Sequence, residues 1–198
     1  MTGARLWLSL IAVALIAGGA GAGLRAWLHS SGNDPLADLA PPAPNPVRQA
    51  MPDLRGTVAP EFALPTLQGE TRRLSDWKGR VRLINFWATW CPPCRRELPT
   101  FQALQDEYAA QGFQVITIAI DDPDSVAQLA SELELRFPLL AHETRTLSVT
   151  REYGNTRDVM PYSVVVDRDG LIVEQHAGEL TRRRAEQILL PLLNLPKS

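Results

Sequence analysis

VRLINFWATWCPPCRRELP, Val81 to Pro99, runs from an apolar, β-branched stretch into the only two cysteines of the chain, Cys91 and Cys94, which are separated by two prolines. Val81 to Trp87 has the composition of a strand buried on both faces. FQVITIAI, Phe113 to Ile120, reads the same way. Between the two, Leu98, Phe101, Leu104 and Tyr108 recur at helical spacing, with Gln102, Gln105 and Glu107 expected to face outward. Strand, helix, strand in this order is a βαβ unit, which requires parallel strands and a right-handed crossover. Cys91 and Cys94 therefore stand where a buried strand ends and a helix begins. Pro93 biases Pro92 away from helical backbone, so the helix is expected to start at Pro93.

Further elements follow on either side. PEFALPTLQGETRRL (60–74) reads as a short hairpin turning near Gln68-Gly69. Asp124 is the expected N-cap of a second helix carrying Val126, Leu129, Ala130 and Leu133. FPLL (137–140) reads as a short strand, and Thr146 to Tyr153 as a short helix closed by Gly154. YSVVVD (162–167) and LIVEQHA (171–177), joined through Asp169-Gly170, read as a hairpin. Thr181 caps a last helix with Ala185, Ile188, Leu189 and Leu192 on its apolar face. The sum is an α/β fold, a mixed central sheet flanked by helices.

The chain has 198 residues, 45% of them hydrophobic and 21% charged, with a net charge of −2. That balance offers no basic field for phosphate backbones, and nucleic-acid binding is not expected. The cluster Arg182, Arg183, Arg184 reads as a solvated face at a helix start. The amino end differs in kind. Leu6 to Leu24 is 19 residues without a charge, bounded by Arg5 and Arg25. About 20 such residues cross a bilayer, and glycines at 18, 19, 21 and 23 disfavour a soluble core helix. Two readings stay open: a single-pass anchor, or a cleaved signal ending near Ala20-Gly21-Ala22. From His29 to Pro52 prolines recur without helical or strand period, the composition of a semi-rigid spacer. The expected organisation is 1–28 anchor or signal, 29–52 linker, 53–198 folded domain. The amino end is expected in the cytoplasm and the domain outside, where disulfide chemistry is sustained.

Three chemistries compete for a C-x-x-C pair. A structural zinc takes four protein ligands, and the histidines at 29, 142 and 176 are all distant in sequence. A disulfide closing so short a loop constrains the unfolded chain little. A redox pair uses both features of the site, because a helix N-terminus favours a thiolate and the second sulfur lies one turn on. Copper(I) on two thiolates remains an open alternative. A thiol peroxidase is disfavoured, since such sites carry a threonine three residues before the cysteine and Ala88 stands there.

These stretches resemble the thioredoxin superfamily, and within it the membrane-tethered TlpA-like thiol–disulfide oxidoreductases. The likeness covers roughly Ala59 to Leu193. It rests on Ala59-Pro60-Glu61-Phe62, on Leu83 through Cys94, on Glu97-Leu98-Pro99 and on Met160-Pro161-Tyr162. It implies a thioredoxin-like fold without cofactor or metal, with Cys91 attacking and Cys94 resolving. It implies a cis peptide at Pro161, where the residues alone leave a trans proline opening a strand. Trp90, Pro92 and Met160 are the implied substrate contacts, Trp90 also shielding the site, and Pro99 the kinking helix proline. Asn85 occupies the place of a buried aspartate found in many thioredoxins and cannot take up a proton. Glu97, one turn after Cys94, is the implied substitute; the alternative is a first-turn glutamate serving the helix dipole. Implied partners are a protein disulfide substrate and a membrane electron donor at the bacterial cytoplasmic membrane. Cytochrome c maturation and copper-site assembly are settings that use this scaffold.

Overall fold

The computed structural model describes residues 51–142 and 144–194. The expected anchor and most of the expected linker lie outside the described residues. Seven strands and four helices follow in the order β1 (Ala63–Pro65), β2 (Thr71–Arg73), β3 (Val81–Trp87), α1 (Pro92–Tyr108), β4 (Phe113–Ala119), α2 (Pro123–Glu132), β5 (Leu139–Ala141), α3 (Arg145–Glu152), β6 (Tyr162–Val166), β7 (Ile172–Ala177) and α4 (Arg182–Leu193). β1 and β2 form a separate antiparallel hairpin. The other strands form one sheet in the order β5-β4-β3-β6-β7, parallel across β5-β4-β3 and antiparallel from β3 to β7.

β3 is buried at every position, as its unbroken apolar run requires. Its side chains alternate between two cores. Val81, Leu83 and Trp87 join Leu98, Phe101 and Leu104 of α1, Val126 and Leu129 of α2, and Ala185 and Leu189 of α4. Ile84 and Phe86 join Leu64 of the hairpin, Ile116 and Ile118 of β4, and Val149 of α3. Each large apolar side chain so buried contributes about 1.5–3 kcal/mol. The alternation decides the site: Asn85 shares its face with Leu83 and Trp87, and so faces α1. The one charged residue of β3, Arg82, is buried too, donating from Nη2 to the Asp167 carbonyl at 2.6 Å.

Local chemistry moves three expected features. The N-cap of α2 is Asp122, accepting the Ser125 N–H at 3.0 Å. Pro123 takes the first helical position, where its missing N–H costs nothing, so the cap falls before it and not at Asp124. Gln102 and Gln105 do not face outward. Gln102 is buried and accepts the Arg136 N–H at 2.7 Å, and Gln105 accepts the Val115 N–H at 2.7 Å. Their amides satisfy backbone donors that the sheet and loop leave over. Glu107 is exposed, paired with Arg182 at 2.5 Å, and Arg184 pairs with Glu174 at 3.4 Å. The third concerns the start of α1, at Pro92 rather than Pro93, and belongs to the site.

Candidate active site

The carboxyl end of β3 passes through Ala88 to Cys91 into α1. Cys91 is the N-cap, with extended backbone (φ −93°, ψ 104°), and its Sγ accepts the Cys94 N–H at 3.3 Å. Closing that bond takes one helical turn over Pro92 and Pro93, so Pro92 is already helical. Part of the clash that bars pre-proline residues from helix involves their N–H, and Pro92 has none. α1 then runs as one element through Pro99. Cys91 and Cys94 are joined in a disulfide with Cα atoms 5.3 Å apart. Cys94 is fully buried, whereas Cys91 keeps 4% exposure.

One turn after Cys94, α1 enters a buried polar cluster. Glu97 is 2% exposed, yet carries a carboxyl group. Its Oε1 accepts the Asn85 amide at 2.8 Å and its Oε2 the Leu180 N–H at 2.9 Å. Burial pushes the carboxyl up to about 7; the Leu180 and Asn85 hydrogen bonds pull down, and Glu179 adds a further upward push. The Asn85 amide also donates to Ser163 Oγ at 3.0 Å, across the β3–β6 pair in which the two residues are partners. Asn85 Oδ1 is buried without a hydrogen-bond partner. Glu97 is therefore a proton-binding group poised near neutrality one turn below Cys94.

A second wall comes from β6 and the loop after β7. The Met160–Pro161 peptide is cis and immediately precedes β6. Met160 packs, partly buried, against the apolar cluster that includes Cys91 and Cys94. The Pro161 carbonyl accepts the Gly178 N–H at 2.8 Å. The same loop supplies Leu180 to Glu97 and Glu179 to Arg96, the latter an ion pair at 2.5 Å. Trp90 is 67% exposed beside Cys91 in sequence, while Trp87 is fully buried in the core.

One further carboxylate stands at this end of the sheet. Asp121, two residues beyond β4, accepts the Thr89 N–H at 2.9 Å and, on the same oxygen, the Thr89 hydroxyl. Burial pushes this carboxyl up, but the hydrogen bonds from Thr89 and Asp122 outweigh it and hold it below the usual carboxylate range. The available signal was positional: the carboxyl ends of parallel strands are where sites assemble.

The geometry supports reversible making and breaking of one S–S bond at a helix N-terminus with a buried proton carrier alongside. Known proteins agree. Residues 55–175, more than half the chain, match the AhpC/TSA family. The thioredoxin-like protein YneN of Bacillus subtilis is 38% identical over 139 residues, covering 68% of this chain and 78% of that protein. The thiol–disulfide oxidoreductase ResA of Bacillus thuringiensis is 33% identical over 135 residues, covering 68% and 76%. Among solved structures, a candidate thiol:disulfide interchange protein DsbE from Chlorobium tepidum superposes with a TM-score of 0.65 at 33% identity, over 71% of this chain and 98% of that one. The chain belongs to the AhpC/TSA family, among its thioredoxin-fold, TlpA-like thiol–disulfide oxidoreductases.

Proposed function

We propose that the chain works as a membrane-tethered, extracytoplasmic reductase of disulfides in a particular partner protein. In the working direction the Cys91 thiolate attacks one sulfur of the partner's disulfide. That bond breaks, and the displaced partner sulfur leaves as a thiolate and takes a proton. The Cys94 thiolate then attacks Cys91 Sγ and displaces the second partner sulfur. Two electrons have passed to the partner, and the Cys91–Cys94 disulfide remains. Glu97, buried and titrating near 7, is suited to accept the proton that Cys94 must lose before it attacks.

The observation that carries the direction is the poverty of donors around Cys91 Sγ. Both residues between the cysteines are prolines without an N–H, and among the described residues the hydrogen bond to the sulfur comes from the Cys94 N–H at 3.3 Å. Arg96, which could add positive charge, is engaged by Glu179. A poorly stabilised thiolate is a poorly stabilised reduced form, and electrons then leave readily. Return to the dithiol needs a donor on the membrane side, which suits tethering through Leu6–Leu24 and the proline-rich spacer.

The test is capture. A full-length Cys94→Ser chain should accumulate mixed disulfides with its partner that dithiothreitol releases, because no thiol remains to resolve them. Equal capture by Cys91→Ser, or none by Cys94→Ser, would contradict the assignment.

A further inference from the structure

The segment between β3 and α1 is a β-turn, Ala88 to Cys91, closed by the Cys91 N–H on the Ala88 carbonyl at 3.2 Å. Thr89 and Trp90 occupy its corners. Trp90 is 67% exposed, so its ring is not placed by burial; the backbone of the turn places it. Thr89 gives both its donors to one oxygen of Asp121. The other carboxylate oxygen accepts the Asp122 N–H at 2.8 Å, and Asp122 in turn caps α2. β3 and β4 are in register at Trp87 and Ala119. Thr89 and Asp121 each lie two residues further on, so the contact extends the sheet's alignment past its last rung.

This strap matters unequally in the two redox states. When the disulfide is closed, the Cys91 sulfur is tied covalently to Cys94, one turn into α1. When it opens, that tie is gone, and non-covalent contacts must hold the attacking sulfur. Displacement at sulfur needs the incoming thiolate aligned with the bond it breaks, and a ~1 Å misplacement costs on the order of a hundredfold in rate. We propose that Asp121 is a positioning residue for thiol–disulfide exchange: acting through Thr89, it holds the turn that carries Trp90 and Cys91 in one orientation toward the incoming disulfide. The inference rests on Cys91 being the attacking thiol. It adds a residue from just beyond the end of β4, 32 positions away in sequence.

The experiment uses the full-length chain in mild detergent, with 5,5′-dithiobis(2-nitrobenzoate) as the probe disulfide. Thr89→Val keeps shape, charge and the backbone N–H but removes the hydroxyl link, and Thr89→Ser restores it. Thermal melting first establishes that each variant is folded at the assay temperature. Attack by reduced Thr89→Val should be about tenfold slower, within the range that misalignment produces. Attack of dithiothreitol on its oxidised form should be unchanged. Because only one direction slows, the reduction potential should rise by about 30 mV for that tenfold change. Thr89→Ser should return to within about twofold of wild type, and Asp121→Ala should slow attack at least as much as Thr89→Val. A Thr89→Val chain that attacks at the wild-type rate, or a Thr89→Ser chain as slow as Thr89→Val, overturns the strap alone. A wild-type chain that does not exchange at all overturns both the strap and the role of Cys91.

Discussion

Glu97 is a carboxyl group held where water is scarce, and its titration should be visible in stability. Its pKa is near 7 in the folded chain against an ordinary 4.5. Between those values the folded state binds more protons than the unfolded state, so stability falls as pH rises and levels off above 7. At about 1.4 kcal/mol for each pH unit between the two values, the loss is on the order of 3 kcal/mol. Urea unfolding of the oxidised chain at pH 4.5 and 7.5 should show it, and Glu97→Gln should remove that part of the slope. An unchanged slope in the variant would contradict the reading. The same substitution takes away a negative charge near the thiols, and the Cys91 titration, followed by alkylation, should move downward. Glu97 was legible in the sequence because it stands one turn after Cys94. Its partners were not. Asn85 and Leu180 come from a strand and a distant loop, and only the folded chain brings them to one carboxylate.

Strands and helices were legible where burial dictates composition. β3 and β4 are apolar on both faces and could be placed from that alone. The shifted features share one cause, which is that a local backbone demand outranks pattern. Pro123 moves a cap to Asp122, a cap-like turn over two prolines makes Pro92 helical, and unpaired N–H groups draw Gln102 and Gln105 away from water. The end of α3 offers a test at this scale. Gly154 has φ +92°, and a Cβ there would lie 2.4 Å from Gln175 Nε2 and 3.3 Å from the Pro52 carbonyl. Gln175 accepts the Leu54 N–H at 2.7 Å and donates to Tyr162 Oη at 2.9 Å, so it cannot move freely. Gly69, at the tip of the β1–β2 hairpin, has φ +83° with open space around the added Cβ. Gly69→Ala should cost only the left-handed strain, about 1–2 kcal/mol. Gly154→Ala should cost that plus the collision, roughly 1–3 kcal/mol more. Equal losses by chemical denaturation would mean that the Gln175 cluster gives way easily.

For the whole molecule the proposal joins a tether to a donor-poor thiol. If Leu6–Leu24 remains as an anchor, amino-terminal sequencing of the protein from its membrane should begin at or beside Met1; a start near Gly23 would instead mean cleavage. Whether the chain reduces or oxidises its partner turns on the stability of one thiolate, and the reduction potential reports that most directly. The two prolines between Cys91 and Cys94 withhold backbone donors from the Cys91 sulfur, so its thiolate should be less stabilised than that of a strong dithiol oxidant. Equilibration of the purified full-length chain with redox buffers of known potential, read by trapping free thiols, should give a value near the roughly −270 mV of thioredoxin. A value close to the roughly −120 mV of the periplasmic dithiol oxidant would contradict the account.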